Sequence, residues 1–146
     1  MNLSKATKVT RHEVAVAAGS TDITPSGYID MQNFEGCMFI INFGTITASA
    51  VTGVRLQQCD TSGGTYADLE GSAQVVADSD DDQAFIIDCY RPQERYLKVI
   101  IDRATANAVL DGITAIQYGP RKLPVSDDSS TVGGSELLVS VAEGTA

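Results

Sequence analysis

Asp78-Ser79-Asp80-Asp81-Asp82 places carboxylates at the first, third and fifth positions of what could open a calcium loop. The pattern then departs from such a loop. Its sixth position is Gln83 where the sharp turn needs Gly, and its twelfth is Cys89 where a bidentate Glu is needed. The run reads instead as a solvated acidic hairpin loop that keeps a neighbouring strand edge from pairing with strangers. His12 is the only imidazole, so any Ser-His-Asp or Cys-His mechanism would have to use it. It lies in a basic segment at the edge of the first strand, where the sequence assures it no orienting carboxylate. Cys37, Cys59 and Cys89 are odd in number and widely spaced, without a CxxC pair, which fits neither a disulfide framework nor a zinc site. Each sits in an apolar or alternating run, so reduced and buried thiols are expected. Gly63-Gly64 and Gly133-Gly134 lack the Lys-Ser/Thr of a phosphate loop and read as turns. The aromatics stand beside aliphatics in strand-like runs, where core packing explains them. The expectation is a chain with no catalytic residues, no metal and no cofactor, and hence not an enzyme.

Charge narrows the partners. The 146 residues carry 19 acids against 10 Lys and Arg, a net charge of −9, which disfavours nucleic acid as a partner. The distribution is uneven. Residues 1–12 hold Lys5, Lys8 and Arg11 and no acid, no basic residue lies between Arg55 and Arg91, and every charge after Lys122 is acidic. That is a basic arm on an acidic body, a device for docking onto an oppositely charged surface. No apolar leader opens the chain, and its longest apolar run, Cys37 to Ile41, is too short to span a bilayer. Folding in the cytosol without membrane contact is the expectation.

The elements that must position these residues all read as strands. Candidate strands are Val14–Ala17, Tyr28–Met31, Cys37–Phe43, Val54–Cys59, Thr65–Leu69, Ala73–Ala77, Ala84–Tyr90, Tyr96–Asp102 and Val109–Tyr118, separated by Gly, Pro, Ser and Asp turns. The unbroken apolar run from Cys37 to Phe43 predicts a central strand buried on both faces. Gly112 predicts a bulge in the last strand. Helical periodicity is absent. Strands at this spacing predict an all-β fold, a β-sandwich or barrel over residues 13–119. Residues 1–12 are then a basic N-terminal arm. Residues 120–146 form a C-terminal arm: a Pro-flanked Arg121-Lys122 pair, a Ser/Asp/Gly linker and the apolar segment Leu137-Leu138-Val139 with Val141. That last segment is expected to dock rather than fray.

Two segments, Tyr28-Ile29-Asp30-Met31-Gln32-Asn33-Phe34-Glu35-Gly36 and the stretch from Thr105 through Tyr118-Gly119-Pro120-Arg121-Lys122 to Val125, resemble a family of small proteins of tailed bacteriophages and prophages. The resemblance covers about residues 10–125. Some members are auxiliary capsid proteins that decorate or cement the shell, and the resemblance implies an antiparallel β-sandwich of jelly-roll type. It implies a virion protein on the capsid exterior, partnered by the major capsid protein and by itself as a dimer or trimer. A tail-tube or head-completion protein is the alternative within the virion, and a carbohydrate-binding sandwich the alternative outside it. The arms would make the contacts, with Lys5, Lys8, Arg11, Arg121, Lys122 and Leu123 meeting the shell. Leu137, Leu138 and Val139 would add a strand to a neighbour's sheet edge.

Overall fold

The computed structural model describes residues 2–140 and 142–144. A four-residue helix, α1 (Leu3–Ala6), precedes ten strands: β1 (Lys8–Glu13), β2 (Val16–Gly19), β3 (Ile29–Asp30), β4 (Gly36–Ile46), β5 (Val51–Cys59), β6 (Ala67–Asp68), β7 (Gln74–Val76), β8 (Ala84–Tyr90), β9 (Tyr96–Ala104) and β10 (Ala108–Tyr118). They form two antiparallel sheets. One runs β1-β10-β4-β8 with β2 also on β10, and the other runs β3-β9-β5-β6 with β7 also on β5. Counting β1/β2 and β6/β7 once each gives eight strands in the orders 1-8-3-6 and 2-7-4-5, the jelly roll of two Greek keys. All-β is as the strand pattern predicts, the sandwich is one of the two forms it allows, and the jelly roll is as the resemblance implies.

The core lies between the sheets. Period-2 alternation turns Cys37, Phe39, Ile41 and Phe43 of β4 inward against Leu56 of β5 and Leu97, Val99 and Ile101 of β9. β10 adds Leu110, Ile113 and Ala115, with its register slipping between Leu110 and Gly112 as expected of a bulge. Gly112 has a φ of 141°, and a Cβ there would meet the Glu13 carbonyl at 3.2 Å. The three cysteines are buried and unbridged, and burial pushes the Cys37 thiol up, away from the reactive thiolate.

Three expectations need correction. β4 is buried on its inner face only: Met38 and Ile40 are half-buried outside and Asn42 is exposed, because nothing covers that face of the sheet. The first strand starts at Lys8, not at residue 13 or 14, so residues 8–12 are no arm but strand paired with β10. His12 is not at an open edge. Two residues on from buried Thr10, it points into the core on the same parity of β1, 8% exposed, with its ring edge-on to Phe39.

Three buried polar side chains cross between the sheets. Around Pro25-Ser26-Gly27 the chain leaves β9 between the Ile23–Ile101 bridge and the Ile29–Leu97 pair, and His12 Nε2 accepts the Val99 N–H at 3.3 Å in that gap. Gln117 of β10 donates to the Asp30 carbonyl of β3 at 2.8 Å. Arg103 of β9 donates to the carbonyls of Ala17, Thr21 and Ala108 at 2.7–3.1 Å. Each satisfies a backbone group that burial would otherwise leave unpaired.

Burial, and then the charge of Lys98, lower the His12 pKa from its ordinary 6.5 to about 4. Between those values the unfolded chain binds a proton that the folded chain refuses. Stability therefore falls as pH drops through this window, by about 3 kcal/mol, and the loss levels off below it. Urea unfolding at stepped pH will show that slope in the native protein. It will be absent from His12→Gln, which keeps an acceptor without the titration. Arg103→Met strands three carbonyls, and its unfolding midpoint will report a loss of at least about 3 kcal/mol.

Candidate functional site

Neither site type that the sequence offers for chemistry is assembled. The acidic run is used structurally: Asp81 and Asp78 accept the backbone N–H groups of Ile46 and Ser49, and Asp80 accepts that of Ala77. These bonds staple the β7–β8 loop onto the β4–β5 turn. Among the described residues no three His, Cys, Asp or Glu side chains converge as a metal cluster would. Tyr28 and Tyr96 touch, but their rings stand at 79°, so they present no flat platform for a sugar. No helix of the described residues is long and apolar enough to cross a membrane.

What the structure does build is surface. The two outer faces of the sandwich differ. On the β3-β9-β5-β6 sheet, Arg55 pairs with Asp68 and with Asp102 at 3.0 Å, and Gln57 also donates to Asp68. On the other sheet the cross-strand register sets Arg11, Thr114, Ile40 and Ile86 in one row and Val9, Ile116, Met38 and Asp88 in the next. Its centre is apolar, with one charge at the end of each row; it is half-buried by its own side chains and has no partner among the described residues. At its end the Tyr118 ring lies across Gly36, where a Cβ would come within 2.2 Å of it, and the Tyr118 hydroxyl donates to Asp88 at 2.7 Å. Burial and the Asp88 carboxylate push that phenol well above its ordinary range.

The segments that carry the phage resemblance meet at this end. Glu35 donates its N–H to the Tyr118 carbonyl and Arg121 donates to the Asn33 carbonyl. Together with Arg91 and Arg95 they border a polar hollow of about 840 Å³. Arg95 is committed to Asp30 through two 2.8 Å bonds, which hold that carboxyl below its usual range. Arg91 lies 3.7 Å from Glu35, and Arg121 is exposed.

The expected contact residues are dispersed. Lys8 and Arg11 are on β1, and Arg121 is on the end hollow. Leu123 is 66% exposed and shares a shallow apolar hollow of about 330 Å³ with Lys5, while Lys122 is exposed beside it. Residues 120–132 are no free arm. They form a strap along the outer edge of β1: Val125 N–H to the Lys5 carbonyl, Asp128 N–H to the Val9 carbonyl, Val9 N–H to Asp127, and Arg11 N–H to the Thr131 hydroxyl. The Asp/Ser/Thr run read as a linker is therefore an edge cover, since those side chains match unpaired strand amides. Leu137, Leu138 and Val139 do not dock on their own body; they are 47%, 69% and 79% exposed. Val141 lies outside the described residues.

The apolar outer face was hidden in the sequence because the run Cys37–Phe43 does not alternate. Its one signal is Asn42, the polar residue at the outward parity. The strap yields a direct check. Removing residues 125–146 bares the β1 edge, and light scattering will show aggregation with a lowered melting temperature. Removing 133–146 alone will leave stability within about 0.5 kcal/mol.

No protein-family model matches the chain, and no curated protein matches it. Among solved structures, a chain of the T13 particle of infectious bursal disease virus superposes with a TM-score of 0.51 at 11% identity, over 81% of this chain and 32% of that one. A subunit of the disulfide-linked pili of Bacillus endospore appendages gives 0.46 at 13% identity over 80% and 93%. The CBM22-1–GH10 modules of Clostridium thermocellum xylanase 10B give 0.45 at 9% over 86% and 30%. The chain spans about a third of the viral chain, and at such identities the likeness is one of architecture. This is a jelly-roll β-sandwich similar in fold to a viral capsid chain.

Proposed function

We propose that this protein is a structural subunit of a bacteriophage virion that decorates the capsid and stabilises it by bridging neighbouring capsid subunits. The observation that carries the reading is the asymmetry of the sandwich. One outer face is paired off by ion pairs, while the other presents Met38, Ile40, Ile86 and Ile116 with no partner among the described residues. An unpartnered apolar face on a domain this small marks a protein contact. The phage-like segments border that face at Gly36 and Tyr118, which supports a shell subunit as what covers it. Exposed Lys122 and Arg121 add salt-sensitive contacts worth at most about 1 kcal/mol each.

The mechanism is mass action. A protein that binds the assembled shell and not its unassembled subunits stabilises the shell by RT ln(1 + [L]/Kd) at each site. Repetition over a symmetric lattice turns a modest interface into avidity. Immunogold imaging of particles released from the bacterium that carries the gene tests this, with label expected across the heads. Label confined to tails or to the head–tail junction would instead favour the tail-tube or head-completion alternative. Ile40→Asp, folded but with a charge in the middle of the face, will leave the heads unlabelled.

A further inference from the structure

We infer that Glu136–Ser140 of one copy adds as a strand to the β8 edge of a second copy, so that the protein self-associates head to tail. Hydrogen bonds from Phe43 N–H to the Gln83 carbonyl and from Arg91 N–H to the Glu35 carbonyl fix the parity of β8. Its odd-numbered residues bond to β4, and the backbone groups of Ala84, Ile86, Asp88 and Tyr90 point outward. Of these, the Ile86 carbonyl alone has a described partner, the Gln74 side chain at 2.8 Å. The other edges are closed or short: β1 carries the strap, β3 and β6 have two residues each and β7 has three. β8, with seven residues, is the one long open edge among the described strands.

The sandwich also gapes there. Between β8 and the segment Leu69–Gln74 of the facing sheet lie two hollows of about 280 and 450 Å³, floored by Leu69, Ile87 and Cys89. An added strand has period 2, so Leu137 and Val139 would enter this groove while Leu138 joined exposed Ile86 and Tyr90 on the outer face. The antiparallel direction sets Glu136 beside the exposed guanidinium of Arg91. The parallel direction would set it against the acidic run Asp78–Asp82, so charge selects antiparallel.

The donor must be another copy. The strap lies outside β1, and a strand beyond β8 is five strand spacings away, roughly 24 Å. From Val132, whose amide is held by the Asp128 carbonyl, a fully extended chain reaches Leu137 within roughly 18 Å. The tail falls short of its own groove.

Complementation in the full-length protein tests this apart from any capsid. Leu137→Asp/Val139→Asp spoils the tail and leaves the edge. Ile86→Pro removes one outward amide from an exposed edge position and leaves the bonds to β4. By sedimentation the native protein will self-associate, each variant alone will associate at least tenfold more weakly, and an equimolar mixture will give a discrete heterodimer. In the native protein the amides of Ile86 and Asp88 will be protected from hydrogen exchange at high concentration and lose protection on dilution. That readout stands even if Ile86→Pro does not fold. The inference is overturned if the native protein is monomeric at about 1 mM, if the tail variant associates as tightly as the native chain, or if those two amides exchange independently of concentration. Loss of self-association with heads still labelled would leave decoration standing, and the reverse would leave this contact standing.

Discussion

Closure of one side of the sandwich by buried polar side chains is the constraint on which the rest of the molecule depends. Apolar packing between two sheets is nearly indifferent to small sliding, because dispersion and hydrophobic burial are non-directional. His12, Gln117 and Arg103 are not indifferent. Each satisfies a backbone group on the opposite sheet, and each would leave a buried donor or acceptor unpaired if the sheets slid. All three lie where β1, β2 and β10 face β3 and β9. The sandwich is pinned on that side, and the strap 120–132 then closes the β1 edge.

The opposite side has one weak tie, Gln74 to the Ile86 carbonyl, and there the sheets part into the two hollows along β8. A jelly roll has edges at both flanks of both sheets, and a small domain closes as many as its side chains allow. This one spends its polar residues on one flank. Asp88 is held by Tyr118 on the outer face and gives the open edge some charge, as does the acidic run at its start. Those charges discourage indiscriminate pairing, yet they leave Leu69, Ile87 and Cys89 at the floor of the groove.

Much of this architecture is legible in the sequence because strand patterning reports burial. β8 coincides with its expected bounds, and the bulge at Gly112 follows from a residue able to take a φ of 141°. What escaped detection shares one cause. Arg103 reads as an ordinary strand-end charge, since its three carbonyl partners lie on segments up to 86 residues away. His12 reads as an edge residue because the strand that turns it inward forms only by pairing with β10. The strap looks like a linker because Asp127 and Thr131 meet Val9 and Arg11, more than a hundred residues earlier. Patterning along the chain resolves which residues are inside. It does not resolve which backbone groups lack partners, and here those groups decide where the polar residues go.

The two surfaces that this leaves exposed make different demands on a partner. The apolar face of the β1-β10-β4-β8 sheet is broad and offers side chains only, so any flat apolar surface of matching shape gains by covering it. The β8 edge offers main-chain groups in a fixed spacing and direction, so it accepts a strand and little else. A face contact is selective through shape and rim charge. An edge contact is selective through register, which the alternation of Ile86 and Tyr90 outside with Ile87 and Cys89 inside imposes on whatever pairs there. Because face and edge belong to the same sheet and meet at β8, a strand added to the edge widens the apolar face by Leu138. If the inferred edge contact and the proposed capsid binding both hold, they are cooperative by geometry: each added copy would enlarge the surface by which its neighbour is held.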